Sequence, residues 1–294
     1  MNEIQRSILK TLCYGDVYDY PLTFRQLHKY LISKKPISRD VLRNSLKSMF
    51  IVKKNGKFIY LKGKSNIVQF RKRREHESIS KIREAKKIAK ILSLIPSIQF
   101  IGLSGSVAMK NCEKDHDIDL FIITKANTLW ISRFFVLAIL LVLRKRRRPY
   151  DTRTQNKICA NMFVTTESVR MPVSKRNLYT PHEIVQVKPL INKNKTYEHF
   201  LYENNWVTNY LANYKIQKIN FHKKTTTLIV QYLDILYFYL QKFYMRKKVT
   251  TEIVKKDAAF FHPINYKKLT NDLYKTKYRH YQNQLPTGQK NAQK

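Results

Sequence analysis

Acidic side chains are scarce in this chain: 20 Asp and Glu stand against 57 Lys and Arg, leaving a net charge of +37. An excess of that size biases the molecule toward polyanionic partners such as nucleic acid, nucleotides or an anionic membrane surface, and says nothing about fold. Cysteine is rarer still. Cys13, Cys112 and Cys159 are isolated, odd in number and without C-x-x-C spacing, which excludes a disulfide framework and a zinc site and suits a reducing cytoplasm. Long apolar runs are missing too. Phe134 to Leu143 is ten uncharged apolar residues between Arg133 and Arg144 to Arg148, about half of what a spanning helix needs. A second apolar stretch around residues 228–245 carries Asp234 near its middle, where a bilayer would not tolerate it. The opening "MNEIQRSILKTL" lacks the cationic start, apolar stretch and small-residue cleavage site of a signal peptide, so the expected location is cytoplasmic.

What is present is a globular composition, 43% hydrophobic and 12% aromatic, in a chain of 294 residues, long enough for more than one core. Ile4, Ile8, Leu9 and Leu12 share a helical face, which Gly15 and Pro21 are expected to end. Thr23 and Ser38 are N-cap residues for two further short helices, and Asn55-Gly56 joins two β-rich arms as a hairpin. This order over residues 1–63 resembles the winged helix-turn-helix superfamily. The resemblance implies DNA or RNA contacts through Arg39, Arg43 and Lys47 on the third helix and Lys53 and Lys54 on the wing. The bland reading is that these charges are a solvated face of a domain docked on its neighbour.

Residues 66–96 predict one long basic helix with an apolar stripe of Ile79, Ile82, Ile88, Ile91 and Leu92, ended by Pro96. Three β runs follow, "SIQFIGLSGS", "DIDLFIIT" and "KICANMFVTT", with the apolar helix of residues 129–143 expected between sheet and other helices. "TPHE" at Thr180 to Glu183 has the form of a capping box. The apolar helix around residues 225–245 is expected at the centre of a C-terminal bundle.

The chemistry concentrates in "GLSGSVAMKNCEKDHDIDLFIIT", Gly102 to Thr124. Asp117 and Asp119 follow Ser106 at a distance of eleven and thirteen residues and, two apart on a strand, project from one side. Adjacent carboxylates repel unless cations sit between them. This stretch resembles the signature of the polymerase beta-like nucleotidyltransferase superfamily, in which Gly-Ser is followed by Asp-x-Asp on a strand. The resemblance implies transfer of a nucleoside monophosphate from a nucleoside triphosphate. Asp117 and Asp119 would hold two Mg²⁺ ions, and Ser104, Gly105 and Ser106 would hold the outgoing phosphates. The family supplies a third carboxylate from a later strand; here Asn161 stands in that place, an amide that cannot take a proton near neutral pH. Asp115 and Glu183 are substitute carboxylates, the first read as a loop residue, the second as a cap; His116 is read as lying beside the aspartates.

The expectation is therefore an α+β protein. It comprises a winged-helix-like unit (1–63), a nucleotidyltransferase domain with a small mixed sheet (66–190), a helical C-terminal region (191–285) and a disordered tail (286–294). Two functions stay open: a Mg²⁺-dependent nucleotidyltransferase with RNA, protein or a small molecule as acceptor, or a nucleic-acid-binding protein whose transferase domain is degenerate.

Overall fold

The computed structural model describes residues 1–63, 66–148, 151–222, 226–246, 253–261 and 266–284. The expected tail lies outside these residues. The N-terminal unit runs α1 (Glu3–Val17), β1 (Leu22–Thr23), α2 (Phe24–Lys29), α3 (Arg39–Lys47), β2 (Val52–Asn55) and β3 (Phe58–Leu61), its three strands ordered β1-β3-β2. Local chemistry explains the boundaries. Thr23 and Gln26 cap α2 reciprocally, the Ser38 hydroxyl accepts from Val41 N–H at the start of α3, and Gly56 takes φ +55° in the hairpin turn. Gly15 does not end α1 as expected. The helix continues to Val17, and the glycine instead lets the returning chain press close: a Cβ there would lie 2.8 Å from Tyr20 O.

A single helix, α4 (Ile67–Leu92), links this unit to the next. Its buried face takes in only part of the predicted stripe, Ile82, Ile88 and Leu92. Ile79 and Ile91 face solvent, while Arg71 and Lys81 are buried beside Ile67, Ala85, Ile88 and Leu92. Tertiary hydrogen bonds override the hydrophobic pattern. Lys81 Nζ donates to Lys114 O at 2.8 Å and His116 O at 2.5 Å, and Arg71 donates to Tyr20 Oη at 2.8 Å and pairs with Glu75 at 3.0 Å.

The remaining elements are β4 (Ile98–Leu103), α5 (Gly105–Ala108), β5 (Ile118–Thr124), α6 (Leu129–Val142), β6 (Ile158–Thr165), α7 (Tyr179–Gln186), β7 (Lys188–Asn192), α8 (Thr196–Glu203), α9 (Leu228–Met245), β8 (Ile253–Val254), β9 (Ala258–Phe260) and α10 (Tyr266–Asn283). They build a six-stranded mixed sheet ordered β7-β4-β5-β6-β9-β8, in which only β5 and β6 pair in parallel. The sheet is covered on both faces, so β4 and β5 read as nearly continuous apolar runs. One face packs Ile101, Ile118, Leu120 and Ile122 on α4 and on Trp130 and Val136 of α6. The other packs Phe100, Phe121 and Ile123 on Ile184 of α7 and Phe200 of α8. Each fully buried aliphatic side chain contributes about 1.5–3 kcal/mol.

Three expectations need correction. The helix α7 begins at Tyr179, so Thr180 lies inside it with its hydroxyl on Lys175 O; the Asn177 side chain accepts from Tyr179 N–H instead, and Glu183 is not part of a capping box. α6 is open on one side, with Val142 82% exposed. α9 is not central. It lies on the surface against α6 and buries only Asp234, Phe238 and Met245, while α10 returns to pack on α1.

Candidate active site

β4 ends at Leu103 and the chain turns through Ser104 and Gly105, the latter at φ +60°, into the short α5. Glycine is required here on two counts. The left-handed backbone angle disfavours a side chain, and a Cβ would lie 2.8 Å from Asp119 Oδ2. The turn and the second aspartate are thus in direct apposition. Ser104 N–H donates to Asp119 O at 3.1 Å, and the buried Ser104 hydroxyl has no hydrogen-bond partner among the described residues. Ser106 Oγ lies 3.4 Å from His116 Nδ1, which faces solvent.

Asp117 immediately precedes β5 and Asp119 lies within it. Because Ile118 and Leu120 face α4, strand alternation sends Asp119 to the α7 side. Asp117 Oδ2 is 2.6 Å from Arg147 Nη1, which also lies 3.6 Å from Cys159 Sγ. Asn161 Nδ2 donates to Asp119 Oδ1 at 3.0 Å. Asp117, Asp119 and Cys159 bring one ligand atom each to within 4.8 Å of one another, a group that could hold a metal ion. The loop carrying Asp115 and Asp117 is anchored from below by the buried Lys81 ammonium.

The electrostatics are those of crowded negative charge in a dry place. Burial, then the neighbouring Asp117, pushes Asp119 up to about 7, against the opposing pull of Arg147 and the Asn161 amide. Glu183 on α7 adds to that repulsion and is itself pushed up to about 7 by burial. The Cys159 thiol is raised by burial and then by both aspartates, which keeps it neutral. A hard divalent cation would take carboxylate oxygens from Asp117 and Asp119 and would relieve their repulsion; a protonated thiol is a poor ligand for Mg²⁺. The donor set therefore fits a divalent ion through two carboxylates, with substrate phosphates and water completing the shell.

Of the residues named from sequence, Ser104, Gly105, Asp117, Asp119 and Asn161 converge. Ser106 and His116 lie at the rim, and Asp115 is exposed in the loop. Three residues escaped that reading. Arg147 sits in a basic run that looks like solvated surface, Lys81 looks like one of many helix lysines, and Cys159 looks isolated. Strand alternation could have found Cys159, because it lies two residues from Asn161 and pairs in register with Asp119.

A Gly-Ser turn facing two carboxylates, one just before β5 and one within it, is an arrangement suited to a metal-bound phosphate. The family comparison agrees: residues 82–178 match the family model of the nucleotidyltransferase domain, so the chain carries a nucleotidyltransferase domain of the polymerase beta-like kind. The match begins within α4 and ends just before α7, and includes every converging residue. Comparison with curated proteins found no match, and comparison with solved structures found none.

Proposed function

We propose that the protein transfers a nucleoside monophosphate from a nucleoside triphosphate to an acceptor, with Mg²⁺ as its cation. The observation that carries this is the apposition of Gly105 and Asp119, with Asp117 alongside: an open backbone turn meets two carboxylates where a metal-bound triphosphate needs both. When bound, the divalent ions neutralise charge on the attacking and leaving oxygens of an in-line displacement. The protein's own residues do the rest. Asp117 and Asp119 would hold the cations, and Arg147 orients Asp117. Asn161 fixes the rotamer of Asp119. The Gly105 and Ser106 amides and the Ser104 and Ser106 hydroxyls receive phosphate oxygens. Lys188, beside Leu103 on β7, supports the same reading: burial, then the nearby Lys110 and Arg71, hold its ammonium down to about 8, a crowding that an anion would relieve.

Incubation with labelled nucleoside triphosphates, Mg²⁺ and a panel of RNA, protein and small-molecule acceptors tests this. Wild type should transfer label, and Asp117→Ala and Asp119→Ala should each lower the rate by about 100-fold or more. A second reading, a nucleic-acid-binding protein with a degenerate transferase domain, draws on one observation. Arg39, Arg43 and Lys47 of α3 and Lys53 and Lys54 of the hairpin are all exposed, on a unit we read as a winged helix. Absence of label transfer by wild type, together with salt-sensitive DNA binding that Asp117→Ala leaves intact, would favour it.

A further inference from the structure

The largest unexplained feature of the surface is apolar. One side of α9, on the face away from α6, is lined by Ile229, Tyr232, Leu236, Tyr239, Leu240 and Phe243, with Ile229 73% and Tyr232 71% exposed. Their spacing of three and four residues puts them on a single stripe along a helix of 18 residues, roughly 27 Å in length. At its flank, on the side toward α6, the exposed Phe134 meets Tyr237 of α9 at 4.8 Å between ring centroids, so exposed apolar side chains of both helices adjoin. A face of this extent on a folded domain marks a contact surface.

The charges around the face decide among external occupants. Of the eight Lys and Arg across residues 126–148 and 226–246, the Arg133 guanidinium is buried, Lys145 pairs with Glu84 and Arg147 with Asp117, which leaves five; the one carboxylate within these segments is Asp234. That carboxylate is buried, accepting from Trp130 N–H at 2.6 Å and Ile131 N–H at 2.8 Å, so it offers nothing to a partner. Arg144 and Arg148 beyond α6, Lys242 and Arg246 on α9, and Lys255 and Lys256 beside Trp130 are all exposed. A second copy docked through this face would bring cations onto cations, with Asp257 the one exposed carboxylate described among them. An anionic headgroup layer would pair them while its acyl boundary received the aromatic and aliphatic side chains, and tyrosines suit that boundary because ring and hydroxyl take opposite sides of it. Among the described residues no helix is long and apolar enough to cross a membrane, so the contact is one of lying on a bilayer.

We propose that the exposed α6–α9 face docks this protein peripherally on a bilayer rich in anionic lipid. The test is co-sedimentation of the full chain with vesicles of phosphatidylcholine alone and of phosphatidylglycerol mixed with phosphatidylcholine. Wild type should sediment with the mixed vesicles only. The double variants Leu236→Asp/Leu240→Asp and Leu236→Lys/Leu240→Lys, checked for fold by circular dichroism, should both bind at least about tenfold more weakly. Binding retained or strengthened by the lysine pair would mean attraction by charge alone and would overturn the proposal. So would failure of wild type to sediment, or a dimer in light scattering that the aspartate pair dissolves and that does not bind vesicles.

Discussion

Asn161 donates its amide to Asp119 Oδ1 at 3.0 Å, so a carboxylate in its place would share any cation that Asp119 holds. We expect Asn161→Asp to tighten Mg²⁺ or Mn²⁺ binding severalfold in titration calorimetry. Without metal a third carboxylate adds repulsion to a site where Asp119 is already pushed up to about 7, so the melting temperature should fall by roughly 2–4 °C and recover when the ion is added. At this scale the sequence was a good guide to one half of the site. Gly105, Asp117 and Asp119 lie on one short segment whose spacing and strand periodicity are local properties. Arg147, Cys159 and Lys81 reach the same place through the register of β6 and the packing of α4, which are long-range properties with no local signature.

Among the elements, α9 shows how an apparent contradiction in composition resolves. An aspartate in the middle of an apolar helix excludes a membrane span, and the structure supplies its purpose: Asp234 caps the N-terminus of α6 from another helix, meeting two backbone N–H groups that nothing within α6 could satisfy. Gln241 reinforces the same junction by donating to Trp130 O at 2.8 Å. Replacing Asp234 by Ala should cost about 1–3 kcal/mol in urea denaturation, with Asp234→Asn recovering part of the loss because its amide oxygen can still accept. Helix existence and type were readable from periodicity in α4, α6 and α9. Their placement was not, since an apolar circumference is equally consistent with a buried helix and with one whose outer face awaits a partner.

For the whole molecule, the N-terminal unit and the transferase domain are joined by more than α4. Tyr20 Oη donates to Met109 O, Asn111 donates to Tyr18 O, and the His182 ring of α7 stacks on Tyr14 of α1 at 3.8 Å. His182 is buried, and that burial pushes its pKa down to about 4, against about 6.5 in an unfolded chain. Between those values the unfolded chain binds a proton that the folded chain does not, so stability rises with pH through this window and is lost as pH falls through it. The loss is on the order of 3 kcal/mol by pH 4. Denaturation at pH 5 and pH 7.5 should show it, and His182→Phe, which keeps the stack and cannot titrate, should flatten the difference.

The return of α10 to α1 has a bearing on how such a chain is made. Tyr281, buried in the core of the N-terminal unit, and its neighbours Tyr274 and Tyr278 come from the far end of the sequence, and Lys277 Nζ is 2.6 Å from the buried Asp16 carboxylate. A unit built from residues 1–63 thus waits for a helix made after the whole central sheet before its core is closed. During synthesis Asp16 and the apolar residues under α10 stay uncovered while the central sheet assembles. Quality control of the nascent chain would therefore act longer on this unit than on the sheet made after it.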